Sequence, residues 1–160
     1  MRDDRQNAIL FLCLGNICRS PLAEGATRAA FAAAGIDATL DSAGTGDWHV
    51  GRPPDPRAEA EARRRGVDIA DLRARQLAPA DFTRFNLILA ADDSNLREAR
   101  ALAPPGATAR LALMLDLVPG RAGASVADPY YGDDGGFAAT WDDVSAVAAA
   151  LVAAASGTSG

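Results

Sequence analysis

The chain has 160 residues, enough for one domain that buries about 70% of its extended surface. Apolar residues make up 49% and charged residues 23%, the balance of a globular protein rather than of a disordered or fibrous chain. A formal net charge of −5 argues against a nucleic-acid partner, and two cysteines with one histidine argue against both a disulfide framework and a zinc site.

Residues 1–7 form a short polar segment with no secretory signal, residues 8–155 read as the folded domain, and residues 156–160 as a disordered tail. Without a long apolar span there is no membrane partner, and the expected location is the cytoplasm. Ala8–Leu14 reads as a buried strand and Pro21–Ala34 as a helix stopped by Gly35. Ala38–Ser42 is a second strand. Asp47–Pro56 is a proline-rich loop carrying Trp48 and His49, and Arg57–Arg65 is a charged helix closed by Gly66. A connector, Leu72–Gln76, leads to a short helix starting at Pro79–Phe82, a buried strand at Asn86–Ala90 and a helix over Asp92–Leu102. The next strand lies within Ala109–Leu117, and Phe137–Ala155 is a long terminal helix. Strands alternating with helices predict an α/β domain with a mainly parallel sheet and helices on both faces.

The segment between the first strand and first helix carries the chemistry: Cys13-Leu14-Gly15-Asn16-Ile17-Cys18-Arg19-Ser20. A strand, a tight loop and a helix N-terminus make an anion cradle, because successive N–H groups point inward and the helix dipole favours negative charge. Cys13 stands at its mouth as a nucleophile. A helix N-terminus beside a guanidinium is the setting that favours a thiolate. Arg19 can grip two phosphate oxygens with its fork. The N–H groups from Leu14 through Arg19 can hold the non-bridging oxygens, Ser20 can donate to the Cys13 sulfur, and Asn16 can brace the loop through neighbouring carbonyls. Together these predict phosphoryl transfer through a cysteinyl-phosphate.

Asp128-Pro129-Tyr130-Tyr131-Gly132 offers a proton donor for the leaving group and a base for water in Asp128. The same stretch also reads as a turn with packed tyrosines. Trp48, Tyr130 and Tyr131 can wall an aromatic slot above the cradle, or pack as ordinary half-buried rings. Asp92 reads as a helix cap, with a further role near the phosphate loop left open. His49 reads as a solvated loop residue, and Arg63-Arg64-Arg65 as a solvated helix end.

These motifs, with Ser42-Ala43-Gly44-Thr45, Ala74-Arg75-Gln76 and Asp93-Ser94-Asn95 in the same order, resemble the low-molecular-weight protein tyrosine phosphatases from about Ala8 to about Leu151. The resemblance implies a four-stranded parallel sheet with the phosphate loop between the first strand and first helix. It implies Cys13 as nucleophile, Arg19 as phosphate clamp and Asp128 as general acid and then base. Asn16, Ser20 and Ser42 are assigned to a network shaping the loop, and Cys18 to a reversible disulfide with Cys13. No metal or organic cofactor is implied; the implied partners are a phosphotyrosine protein as substrate and phosphate as ligand. A monomer is the expectation, and the sequence leaves the oligomeric state open. One departure stands out: relatives carry histidine two residues before Ala74-Arg75-Gln76, where this chain has Leu72.

Three other functions compete. Arginine phosphatases resemble the chain but carry threonine where it has Ile17. Arsenate reductases need a further cysteine relay that Cys13 and Cys18 alone do not supply. A phosphotyrosine-binding module would be favoured by loss of Cys13 or Asp128, and both are present.

Overall fold

A computed structural model of the chain describes residues 7–130 and 135–156. The expected N-terminal segment and tail thus lie outside the described residues except for Asn7 and Ser156, and Tyr131 lies outside as well.

Four parallel strands form one sheet: β1 (Ala8–Cys13), β2 (Thr39–Gly44), β3 (Leu87–Ala90) and β4 (Arg110–Leu113), in the spatial order β2-β1-β3-β4. All six residues of β1 are buried, because a central parallel strand is covered on both faces. Ile9, Phe11 and Cys13 share a core with α1 (Arg19–Ala34), α2 (Pro56–Arg64) and α5 (Gly135–Ala155). Ala8, Leu10 and Leu12 share the opposite core with α3 (Asp81–Arg84) and α4 (Asp93–Leu102). The single-domain α/β architecture with helices on both faces is the expected one.

From β1 the chain goes to one side for β2, then crosses to the other side for β3. Ligands in such sheets bind beyond the strand carboxyl ends at this reversal, which is where residues 13–20 lie.

Several boundaries differ from the sequence reading. Helix α1 starts at Arg19, two residues before Pro21; proline is tolerated in the first turn, where its missing N–H has no partner in any case. Strand β2 runs on to Gly44, which accepts from Leu77 N–H and donates to the Arg75 carbonyl, each at 2.8 Å. Strand β4 ends at Leu113, whose N–H is taken by Asp116 as the chain enters a 3₁₀ turn, Met114–Leu117. Gly35 closes α1 in the left-handed conformation, φ 71°, as expected. The absence of a long apolar span is corrected: Gly136–Ala155 has the length and, at 1.3, the mean hydropathy of a membrane helix. It is a core helix here, with Val144, Val147, Ala148 and Leu151 buried and α5 packed along α1.

Candidate active site

The loop of residues 13–18 is held from the side by chain that follows β2. Thr45 and Gly46 N–H groups donate to the carbonyls of Cys13 and Leu14, and Asp55 N–H donates to the carbonyl of Ile17, all at 2.9 Å. Gly44 is required by close approach: a Cβ there would sit 2.7 Å from the Leu14 carbonyl oxygen.

Beneath the loop runs a buried polar chain. Asn16, with φ 59°, turns its amide inward; Nδ2 donates to Ser20 Oγ at 2.8 Å and to Ser42 Oγ at 3.0 Å. Its Oδ1 accepts from the backbone N–H of Arg75 at 2.9 Å. Asn16 therefore braces hydroxyls and a remote N–H rather than the neighbouring carbonyls expected from sequence. Both Nδ2 hydrogens are committed, so the two serine hydrogens must go elsewhere. Ser42 Oγ donates to Glu24 Oε1 at 2.9 Å. Ser20 Oγ lies 3.0 Å from Cys13 Sγ and, with Cys13 as thiolate, is the donor to it. The chain of bonds therefore diverges from the Asn16 amide, with the Cys13 sulfur as the acceptor at one end and Glu24 at the other.

Glu24 is 2% exposed, and burial pushes its carboxyl up against the opposing pull of Ser42 and Arg28. Sequence reading missed it. The signal was available: Ser20, Glu24 and Arg28 are spaced by four and share a helix face, and Arg28 pairs with Glu24. Leu72 is half-buried against the core and supplies no polar contact to this chain of bonds; the Arg75 N–H and Glu24 do.

Arg19, 3% exposed, is anchored from behind. Its Nη1 donates to Asp92 Oδ2 at 2.8 Å and to the Val126 carbonyl at 2.9 Å. Asp92 Oδ1 meanwhile accepts from Asn95 N–H, so Asp92 both caps α4 and fixes Arg19. Arg19 Nη2 reaches to 3.6 Å from Asp128 Oδ2, and Asp128 Oδ1 accepts from Tyr130 N–H at 3.0 Å.

A crevice of about 350 Å³ opens above the loop, lined by Cys13, Leu14, Gly15, Ile17, Cys18, Arg19, Trp48, His49, Asp128 and Tyr130. The structure thus brings the Cys13 thiol, a guanidinium, a carboxylate and two aromatic walls to one opening. The side chains of Asn16 and Ser20, both expected at the substrate site, stand behind the loop, 3% and 0% exposed. His49, expected in solvent, is half-buried in the wall, close over Gly15 and facing the Tyr130 ring. Trp48 is 67% exposed but its ring lies on the bare backbone of Gly46, where any Cβ would collide with it. Arg64 and Arg65 are exposed, as expected, and in addition pair with buried Glu61. Cys13 and Cys18 are both buried free thiols. Burial pushes the Cys18 thiol far up, with Asp55, Cys13 and Asp128 adding to it, so Cys18 is protonated beside the candidate nucleophile.

Residues 8–157 match the family model described as low molecular weight phosphotyrosine protein phosphatase. The chain is similar to the low molecular weight phosphotyrosine protein phosphatase of Schizosaccharomyces pombe, 44% identical over 132 residues that cover 81% of this chain and 84% of that one. Its fold matches the crystal structure of YfkJ from Bacillus subtilis with a TM-score of 0.85 and 36% identity over 92% of this chain and 93% of that one. It also matches DARP, the Drosophila arginine phosphatase, with a TM-score of 0.84 and 29% identity over 89% and 93% of the two chains.

Proposed function

Because the chain belongs to the low molecular weight phosphotyrosine protein phosphatase family and is a hydrolase of phosphotyrosine, we propose that Cys13 is its nucleophile, Arg19 its phosphate clamp and Asp128 its general acid and base. The observation that carries this reading is the meeting of the three at one crevice, with the Cys13 sulfur backed by the Ser20 hydroxyl at 3.0 Å. The Cys13 thiolate attacks phosphorus as the phosphorus–oxygen ester bond breaks, and Asp128 gives its proton to the departing phenol. Water then attacks the cysteinyl-phosphate, its proton passes to the Asp128 carboxylate, the sulfur–phosphorus bond breaks, and inorganic phosphate leaves. Loop N–H groups and the Arg19 fork hold the equatorial oxygens throughout.

Cys13→Ser removes turnover, and inorganic phosphate protects the wild-type thiol from alkylation. Asp128→Asn lowers kcat/KM most for esters with poor leaving groups, since a basic departing oxygen needs the proton most. Turnover of Cys13→Ser near the wild-type rate would overturn the covalent route.

A second reading, phosphoarginine hydrolysis, is favoured by the likeness to the Drosophila arginine phosphatase. Ile17 on the crevice lining and the walls of Trp48 and Tyr130 favour a phenyl ring instead. An extra methyl in such a pocket discriminates by about 1–3 kcal/mol. The kcat/KM ratio for phosphotyrosine and phosphoarginine peptides, on wild type and Ile17→Thr, decides between them. We also place the enzyme as a monomer in the cytoplasm, where a reducing environment keeps Cys13 and Cys18 as thiols. Peroxide converts the Cys13 thiolate to a sulfenic acid; the Cys18 thiol displaces water from it to form a disulfide, which dithiothreitol reduces. In Cys18→Ser the same treatment leads to loss that dithiothreitol no longer restores.

A further inference from the structure

The crevice residues do not account for Arg57, which joins the two loops that must act together. It is the second residue of α2, and its guanidinium is fixed on one side by Asp55: Nε donates to Oδ1 at 3.0 Å and Nη2 to Oδ2 at 2.9 Å. Asp55 is 8% exposed, and hydrogen bonds from Arg57 hold its carboxyl below the usual carboxylate range. The Asp55 N–H is also the group that donates to the Ile17 carbonyl, so this pair is tied to the phosphate loop. On its other side Arg57 Nη2 donates to the Tyr130 carbonyl at 3.1 Å. The guanidinium carbon stands 5.5 Å from the Tyr130 ring centre and 4.8 Å from that of Phe137, within cation–π range of both.

The loop bearing Asp128 is thereby held at two points. Val126 fixes its start through Arg19 and through its N–H to the Ala91 carbonyl. Tyr130 fixes its end, and the Tyr130 N–H to Asp128 Oδ1 carries that constraint to the carboxylate. We infer that Arg57 is a positioning residue for the general acid: it braces the Asp128 loop against the phosphate loop, setting the carboxylate's distance from the leaving oxygen. This rests on the reading of Asp128 as the proton donor. A displacement of about 1 Å at a reacting group costs up to roughly a hundredfold in rate, so a lost brace is visible in kinetics.

The test is a series of substituted phenyl phosphates, read as kcat/KM, which reports every step through phenol departure. Arg57→Ala should lose roughly tenfold on the most basic leaving groups, a fraction of the 10²–10⁴ that a general acid supplies, and little on the least basic. Arg57→Lys, which keeps the charge and stem but cannot fork to both Asp55 and Tyr130, should show the same slope at smaller size; it also serves where Arg57→Ala is too unstable to assay. In an Asp128→Asn background, Arg57→Ala should add no further slope, because there is no proton left to place. A sloped Asp128→Asn series beside a flat Arg57→Ala or Arg57→Lys series overturns the brace alone. A flat Asp128→Asn series overturns the acid assignment and the brace with it. Equal additional slope in both backgrounds also overturns it, since Arg57 would then act independently of Asp128.

Discussion

Arg19 illustrates how much one side chain is constrained before substrate arrives. One nitrogen is taken up by Asp92 and the Val126 carbonyl, and the other side of the fork faces the crevice. Lysine at this position could satisfy one partner or the phosphate, not both. Arg19→Lys should therefore be almost as damaging as Arg19→Ala, with about 2.7–4 kcal/mol of transition-state stabilisation lost, as for other preorganised donors. The measurement is kcat/KM on an aryl phosphate, with circular dichroism as the folding control; a lysine variant within a few-fold of wild type would remove Arg19 from the clamp. Cys13 and Arg19 were legible as candidates because a thiol and a guanidinium frame a tight loop between a strand and a helix, whereas Asp128, which also reads as a turn residue, was favoured only through the family resemblance. Glu24 and Arg57 were not legible, since a glutamate in an alanine-rich helix and an arginine in a charged one look like solvated residues until the partners Ser42 and Tyr130 arrive from elsewhere.

At the scale of elements, helix α4 connects the outer core to the clamp through its cap. Asp92→Ala removes the bond to Asn95 N–H, worth about 0.5–2 kcal/mol, and leaves the buried Arg19 guanidinium short of a partner. Asp92→Asn keeps the capping oxygen but replaces the oxygen that accepts from Arg19 with an NH2 group, so it loses both the charge and the acceptor behind the guanidinium. Thermal melting should therefore fall more for alanine than for asparagine, while phosphate affinity, read by calorimetry, should fall for both. Unchanged phosphate affinity in both variants would reduce Asp92 to a cap. The run of elements was readable because the strands are short apolar blocks between turn residues. The ends were less so: at Gly44, β2 pairs with Cys13 on one side while Arg75 and Leu77 come alongside on the other, a pairing across more than thirty residues that no local pattern announces. Nor could the placement of Trp48 be read locally, since it depends on the absent side chain at Gly46.

For the whole molecule, the buried carboxyl of Glu24 links folding to pH. Its folded-state affinity for a proton is raised above the ordinary value of 4.5 by burial. From pH 4.5 upward the folded form consequently holds more proton than the unfolded chain, and stability from this group falls as pH rises through that window. Glu24→Gln removes this contribution, so the melting temperature of wild type minus variant should decline from pH 4.5 towards neutrality. A difference that stays level across that range would mean Glu24 titrates alike in both states.

The residues around the crevice come from widely separated parts of the chain, and this has a consequence for synthesis. Cys13 leaves the ribosome more than a hundred residues before Asp128, and α5 follows later still. At 5–20 residues per second, roughly 6–23 s separate the proposed nucleophile from its proposed proton donor. During that interval β1 lacks first β2, then β3, and lastly the helix that covers its inner face. The nascent chain thus carries the Cys13 thiol for many seconds before the carboxylate proposed to work with it has been made.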